Sequence, residues 1–310
     1  VALMSAEFEM IAELTDGLAF GPDVRLGPGD DAAVLVPRGE IVITTDVLIE
    51  NVHFKRSWSP AFQVGRKAVA VNVSDVEAMG AEPSAVVIGL AFPRDLDRRW
   101  VSDFQEGVVE ECARAGVSLV GGDLSSSPHI ALGVTALGNL SGRPAITRAG
   151  ARVGDQVAVC GRLGCSAGGL LVLQRGFGSP KDLVLEQQCP TVPYGQGKAA
   201  AEAGATAMID ISDGLLQDLG HICELSGVGI DVRTAALKIH DSLARLAAAT
   251  GKDPLGLVLA GGEDHALVAT FPAQVELPQG WLRIGTVTSG AEVIVDSMLW
   301  AGSVGWDHFA

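Results

Sequence analysis

Apolar residues recur every three or four positions at Phe8, Ile11, Leu14 and Leu18, a spacing that predicts an opening amphipathic helix. Residues 41–45 are β-branched throughout and predict a strand. A helix is predicted over 61–79, with Gly80 as its stop. A strand over 84–92 follows, ended by Pro93. The stripe Trp100, Val101, Phe104, Val108 and Cys112 predicts another amphipathic helix, stopped by Gly116. Residues 117–120 are short and apolar, and 130–140 alternates like a strand with one wet face. Segment 141–155 is turn-rich and polar, so the domain boundary is placed there, giving domains over 1–142 and 143–310. The second half predicts strands near 156–160, 206–209 and 229–233, and further strands to about 295. Helices are predicted between them near 166–175, 194–203, 213–226 and 241–250. This mixture predicts an α/β (α+β) chain of two domains with partly antiparallel sheets.

Acidic residues interrupt that pattern in short clusters flanked by Gly, Ser and Thr. They are Gly29-Asp-Asp31, Thr44-Thr-Asp46, Asn72-Val-Ser-Asp75, Gly121-Gly-Asp123, Asp210-Ile-Ser-Asp-Gly214 and Gly261-Gly-Glu-Asp264. Most abut an apolar stretch, so each acid is expected where a buried strand or helix stops. Acids emerging together from a core repel one another unless cations sit between them. Oxygen-only ligands favour Mg²⁺, Mn²⁺ or Ca²⁺ over zinc. Asp30, Asp46, Asp75, Asp123, Asp210 and Asp213, assisted by Thr44 and Thr45, are therefore candidate metal ligands for a phosphate-handling enzyme. Taken singly, each aspartate reads first as a cap or turn residue, and Ser212-Asp213-Gly214 has the form of a helix N-cap; for the whole set that reading fails, because caps do not need so many acids at the ends of buried strands.

Composition narrows the partners. The chain has 310 residues, 48% hydrophobic, and a formal net charge of −15. That acidity argues against nucleic acid or an anionic membrane as partner. No apolar run approaches the ~18–20 residues of a membrane span, and no signal peptide is visible. The five cysteines form no C-x-x-C pair and, odd in number, point to a reducing, cytoplasmic compartment. There is no P-loop, no G-x-G-x-x-G after a strand, no kinase H-R-D or D-F-G and no G-x-S-x-G elbow.

Other residues stay open between two readings. His53 is either packed or a donor to a substrate phosphate. Arg148, beside Arg143 and Arg152, is either solvated or a bidentate phosphate ligand. Lys67 on its helix is expected to face solvent. Trp306 either packs or stacks on a flat heterocycle. Val71-Asn-Val-Ser-Asp75 and Ile209-Asp-Ile-Ser-Asp213 echo one another, as do Gly121-Gly-Asp123 and Gly261-Gly-Glu263, at nearly equal offsets. Duplication and chance both explain the echo, and either way both halves supply acids at comparable points.

Longer motifs carry a resemblance. Gly29-Asp-Asp-Ala-Ala33, Thr44-Thr-Asp46, Asn51-Val-His-Phe54, Ala70-Val-Asn-Val-Ser-Asp75, Ala78-Met-Gly-Ala81, Gly121-Gly-Asp123, Thr147-Arg-Ala-Gly150, Asp210-Ile-Ser-Asp-Gly214, Gly261-Gly-Glu-Asp264 and Trp306-Asp-His-Phe309 closely resemble the thiamine-monophosphate kinase family. That family lies in the aminoimidazole ribonucleotide synthetase-like (PurM-like) superfamily. Gly-Asp-Asp and Gly-Gly-Asp are only moderately specific. Asn-x-His-Phe, Asp-Ile-Ser-Asp-Gly and the terminal Asp-His-Phe are much more so.

The resemblance implies ATP-dependent phosphorylation of thiamine monophosphate to thiamine diphosphate with several Mg²⁺ ions. It implies that Asp30, Thr44, Thr45, Asp46, Asp75, Asp123, Asp210 and Asp213 bind metal, and that Gly122, Asp123, Arg148 and Ser212 contact ATP. It places His53, Glu263 and Trp306 on thiamine phosphate. Catalysis would run through Asp46, Asp75, Asp123, Asp210 and Asp213, by way of the metal, and through Arg148. The implied fold is a homodimer whose N-terminal domains, which bind metal and ATP, share a β-barrel; the C-terminal domain completes the site. One departure stands out: the family often has an ATP-binding Tyr near Gln105, whereas the only Tyr here is Tyr194, leaving Phe104 as the candidate replacement.

A phosphate monoester has a second pKa near ~6, so its oxygen is already an anionic nucleophile at neutral pH and direct in-line transfer needs no general base. Among sister enzymes, selenophosphate synthetase calls for a reactive N-terminal Cys, yet none precedes Cys112. The hydrogenase-maturation relative carries a C-terminal Cys, absent here, and aminoimidazole ribonucleotide synthetase lacks the Asn-x-His-Phe pattern. A catalytically silent metal-binding module is the alternative from another class, which the complete acid set disfavours.

Overall fold

The computed structural model describes residues 6–306, with side chains described from residue 9 onward. Phe8 of the opening stripe and Asp307-His-Phe309 of the tail motif thus lie outside the described side chains. The chain divides into two compact units, residues 1–76 with 83–142, and residues 77–82 with 143–310.

Unit 1 runs through α1 (Ala6–Thr15), β1 (Val24–Leu26), β2 (Val34–Leu35), β3 (Ile41–Ile49), α2 (Ala61–Ala78), β4 (Glu82–Phe92), α3 (Arg98–Ala115), β5 (Ser118–Ser126) and β6 (Ala131–Asn139). The end of α2 and the turn after it group with unit 2. Its main sheet has the order β3-β6-β4-β5, with β3 and β6 antiparallel and β4 and β5 parallel. A parallel pair needs a crossover, and α3 provides it between β4 and β5. Asp97 caps α3 by accepting the Arg99 amide, and Gly116 ends it at φ 69°. Buried Val101, Phe104, Val108 and Cys112 face inward as the stripe predicts. On edge strand β3, by contrast, the alternate residues Ile41, Ile43, Val47 and Ile49 stay exposed.

Unit 2 continues with β7 (Gln156–Cys160), α4 (Cys165–Gln174), α5 (Lys181–Gln188), α6 (Gln196–Glu202), β8 (Ala207–Asp210), α7 (Leu215–Ser226), β9 (Gly229–Val232), α8 (Asp241–Thr250) and α9 (Pro254–Ala260). It closes with β10 (Leu267–Phe271), β11 (Leu282–Thr288), β12 (Val293–Val295) and β13 (Met298–Leu299). One seven-stranded sheet, β13-β12-β9-β11-β7-β10-β8, is antiparallel at each pairing except β12 with β9. Strand alternation builds two cores. Val157, Val159, Ile209 and Val268 pack with residues of α4, α5, α7, α8 and α9 on one face. Ala158, Cys160, Met208 and Leu267 pack with Phe271, Trp281 and Ala200 on the other. Phe271 and Trp281 meet edge to face, centroids 5.4 Å apart.

Two helices, α5 and α9, were not expected, and β3 extends beyond residue 45. Buried Glu77, near the end of α2, accepts the Gly195 and Gly197 amides at the start of α6, and burial pushes its carboxyl up to about 7. All five cysteines are buried and outside any disulfide. Burial raises Cys112 and Cys165 to about 12 and Cys160 and Cys223 to about 11. Among the described residues, no helix is long and apolar enough to cross a membrane.

Candidate active site

The acids were expected where strands and helices stop, and only some do. Asp210 is the last residue of β8, as expected. Asp46 lies inside β3, Asp75 inside α2 and Asp123 inside β5. An edge strand and a helix surface expose polar side chains mid-element, so a local switch from apolar to acidic residues need not mark an end.

In unit 1 the strand period separates the two threonines. Thr44 Oγ1 donates to Asp75 Oδ2 at 2.8 Å. The Asp46 amide donates to Asn72 Oδ1 at 2.9 Å, and Asn72, fully buried, donates from Nδ2 to the Ala68 carbonyl at 2.9 Å. Asn72 and Asp75, three apart on α2, share a helix face and so serve β3 together. Thr45 points to the opposite face, where its hydroxyl donates to Val134 O at 2.8 Å beside Thr135. Asp123 Oδ2 accepts Ser125 Oγ at 3.0 Å, and Asp30 Oδ1 accepts the Asp31 amide at 2.9 Å. Gly122 sits where a Cβ would lie 2.1 Å from the Ile88 carbonyl, so the β4–β5 contact itself excludes a side chain.

His53 ends the Asn51-Val-His-Phe54 turn, in which Asn51 takes φ 69°. Its Nδ1 accepts the Ile49 amide at 3.0 Å, which leaves Nε2 to carry the proton of the neutral ring. Lys67 does not face solvent: it is buried, with Nζ donating to the His53 carbonyl at 3.3 Å. Phe104 is also buried and stacks on Trp100, centroids 5.6 Å apart, so it cannot replace an adenine-facing Tyr. Gln105 beside it donates to the Leu14 carbonyl at 2.6 Å. A cavity of about 490 Å³ lined by Leu14, Phe62, Val101 and Gln105 contains none of the candidate acids.

In unit 2, residues beyond β8 pair with those before β10. Ile211 donates to Ala266 O, His265 to Ile211 O and Glu263 to Ser212 O. Glu263 and His265 adopt φ 66° and 48°, a left-handed conformation that non-glycine residues hold only where their surroundings impose it. His265 Nδ1 lies 3.0 Å from Asp210 Oδ2, and both side chains are buried.

Asp213 does not cap α7, whose N-cap is Gly214 with no side-chain bond. Asp218 accepts the Asp213 and Gly214 amides instead, and its carboxyl is pushed up to about 7, first by burial and then by the charges of Asp210 and Asp213. Asp213 Oδ2 therefore meets Gln217 Nε2 at 3.1 Å rather than a backbone amide. Trp306 is 61% exposed, contrary to a packing role. Arg148 is exposed, its carbonyl accepting Ser226 Oγ at 3.0 Å. Buried Asp264 accepts the Gly164 and Ser166 amides at the start of α4, and burial pushes it up to about 7.

Sequence reasoning left Asn72, Asp218, Asp264, His265 and Gln217 without roles. Asn72 and Asp264 stood inside quoted motifs, so their polarity in apolar surroundings was the available signal. Among the described residues, no three His, Cys, Asp or Glu side chains form a ready metal cage. The donors come in ones and twos from separate elements. They are oxygen donors throughout, and Mg²⁺, which keeps most of its waters, needs only one or two carboxylates per ion, so the set fits that ion.

The chain matches the AIR synthase related protein N-terminal domain over residues 29–140 and its C-terminal domain over 152–297. It is 46% identical to the thiamine-monophosphate kinase of Mycobacterium tuberculosis over 306 residues, covering 98% of this chain and 91% of the relative. The crystal structure of thiamine-monophosphate kinase from Stenotrophomonas maltophilia superposes with a TM-score of 0.82 at 33% identity, covering 97% and 98% of the two chains. A structure of AaThiL complexed with AMPPCP and TMP superposes at 0.79 with 34% identity, covering 97% and 96%. With both halves matched in order and the similarity sustained along nearly its whole length, the chain belongs to the thiamine-monophosphate kinase family of AIR synthase related proteins.

Proposed function

We propose that this protein transfers the γ-phosphoryl group of ATP in line to the phosphate of thiamine monophosphate, giving thiamine diphosphate. The observation that carries the reading is a set of oxygen donors each fixed by a neighbour: Asp75 by Thr44, the Asp46 backbone by Asn72, Asp210 by His265 and Asp213 by Gln217. The solved relative that binds AMPPCP and TMP supports the choice of substrates. Asp30, Asp46, Asp75, Asp123, Asp210 and Asp213 would hold several Mg²⁺ ions with Thr44 and Thr45, the Thr45 hydroxyl turning from the Val134 carbonyl to do so. When bound, the ions screen the charge of the two phosphates and of the transition state.

The side chains do the positioning. His53 Nε2 offers its proton to the acceptor phosphate. Arg148 presents a planar fork to a phosphate of ATP, with Gly122, Asp123 and Ser212 beside the nucleotide. The exposed indole of Trp306 stacks on a flat heterocycle and Glu263 contacts the acceptor. The acceptor oxygen is already anionic, so no side chain removes a proton from it. The exposed row Ile41, Ile43, Val47 and Ile49 on edge strand β3 suits a homodimer in which two such sheets close on one another. Five buried thiols suit a reducing cytoplasm.

The test is incubation of purified protein with ATP, Mg²⁺ and thiamine monophosphate, followed by chromatography for thiamine diphosphate. Metal-dependent product is the expected result. ATP bound but no diphosphate formed would overturn the acceptor, and a phosphorylated protein trapped during turnover would overturn direct transfer.

A further inference from the structure

We infer that Gln217 is a positioning residue that fastens the segment bearing Trp306 to the aspartate at 213, so that the acceptor-side aromatic and the acidic loop are placed by one amide. Gln217 stands in the first turn of α7, where backbone N–H groups lack helical partners. Its own N–H donates to Val304 O at 3.1 Å. Both hydrogens of its side-chain amide are committed: Nε2 donates to Asp213 Oδ2 at 3.1 Å and to Trp306 O at 2.9 Å. The Trp306 amide returns a bond to Asp213 O at 3.0 Å, closing the ring of contacts.

Capping does not explain Gln217, because Asp218 already accepts the Asp213 and Gly214 amides. The approach is too close for a side chain at 305: a Cβ on Gly305 would lie 2.4 Å from Gln217 Oε1 and 2.9 Å from Asp213 O. Within the segment, Trp300 Nε1 donates to Ser303 O and Ser303 Oγ to Gly305 O, which stiffens the approach to Trp306. The backbone of Trp306 is thereby held while the residue as a whole stays 61% exposed. A group that fixes an aromatic without covering it fits a binding role better than a packing one.

The assignment rests on the proposed reaction for its kinetic consequences, but the clasp itself is testable without turnover. In the full-length, metal-free and ligand-free protein, Gln217→Ala should speed exchange of the Trp306 amide by about tenfold, the worth of roughly one hydrogen bond, with Tm moved by only a few degrees. In turnover, Gln217→Ala should raise the KM for thiamine monophosphate about fivefold or more and leave that for ATP within about twofold. In a Trp306→Ala background it should no longer change the acceptor KM, yet should still raise the half-saturating Mg²⁺ concentration through Asp213. Unchanged exchange at Trp306, or acceptor effects that multiply in the double variant, would overturn the assignment. If the wild type makes no thiamine diphosphate, the reaction assignment fails while the exchange comparison still decides the clasp.

Discussion

Replacing Asp264 by Asn should flatten the pH dependence of stability in a calculable way. The carboxyl is 5% exposed and accepts two backbone amides, yet burial raises it from an ordinary 3.8 to about 7. The folded chain therefore holds this proton more tightly than the unfolded chain. Its contribution is fully present below the unfolded value and is lost as pH rises through about 7. At about 1.4 kcal/mol per tenfold change in proton affinity, the whole loss is about 4 kcal/mol. Roughly 2 kcal/mol of it has gone by pH 5, and the remainder, about 2–3 kcal/mol, goes between pH 5 and 8. Asn cannot titrate, and its NH₂ opposes one of the two amide donors, a pH-independent cost of about 1–3 kcal/mol. Urea denaturation of the metal-free proteins, followed by circular dichroism at half-unit steps from pH 5 to 8, measures the difference. Glu77 and Asp218, also raised to about 7, titrate in both proteins and largely cancel. The advantage of wild type over Asp264→Asn should shrink by about 2–3 kcal/mol over that range. Curves that stay parallel within about 0.5 kcal/mol would refute the reasoning, since a carboxylate that remains ionised throughout gives no slope.

Other substitutions separate structure from chemistry. Asp46→Asn and Asp213→Asn should each lower kcat by about 100-fold or more with near-native circular dichroism; near-normal rates in both would remove these residues from the metal set. Asn72→Ala deletes the acceptor of the Asp46 amide and the bond to Ala68 O in a fully buried site, and should cost about 2–4 kcal/mol in urea titrations while raising the half-saturating Mg²⁺ concentration. Gly122→Ala pushes a Cβ to 2.1 Å from the Ile88 carbonyl and should destabilise by about 1–3 kcal/mol. A Tm equal to wild type would mean that the β4–β5 contact yields freely.

Long amphipathic patterns were read well because periodicity reports burial directly. The stripe from Trp100 to Cys112 and the alternation over 130–140 appear as α3 and β6. Helix α5 escaped because Glu186, Gln187 and Gln188 are polar yet buried, so composition hid its inward face. The motifs found the acids but misjudged their setting. Asp46, Asp75 and Asp123 sit within elements because an edge strand, a helix face and a sheet margin tolerate a wet side chain. The supporting residues were hidden for a different reason. Asp218 looks like any polar position on a helix, and only tertiary contact shows it taking over the capping that Ser212-Asp213-Gly214 appeared to supply. His265 gains meaning only when the turn before β10 brings it against Asp210.

The five buried cysteines, of which Cys112, Cys160, Cys165 and Cys223 have thiols raised to about 11 or 12, have a practical corollary. A thiol-specific reagent at neutral pH meets almost no thiolate in the native protein, so the wild-type chain is a nearly silent background for labelling. A single cysteine introduced on a surface loop would carry a probe in isolation, without first stripping out the native ones. The same silence makes slow modification a clock: each native thiol that reacts reports an opening event. Cys112 in unit 1 and Cys160, Cys165, Cys189 and Cys223 in unit 2 would time the two units separately.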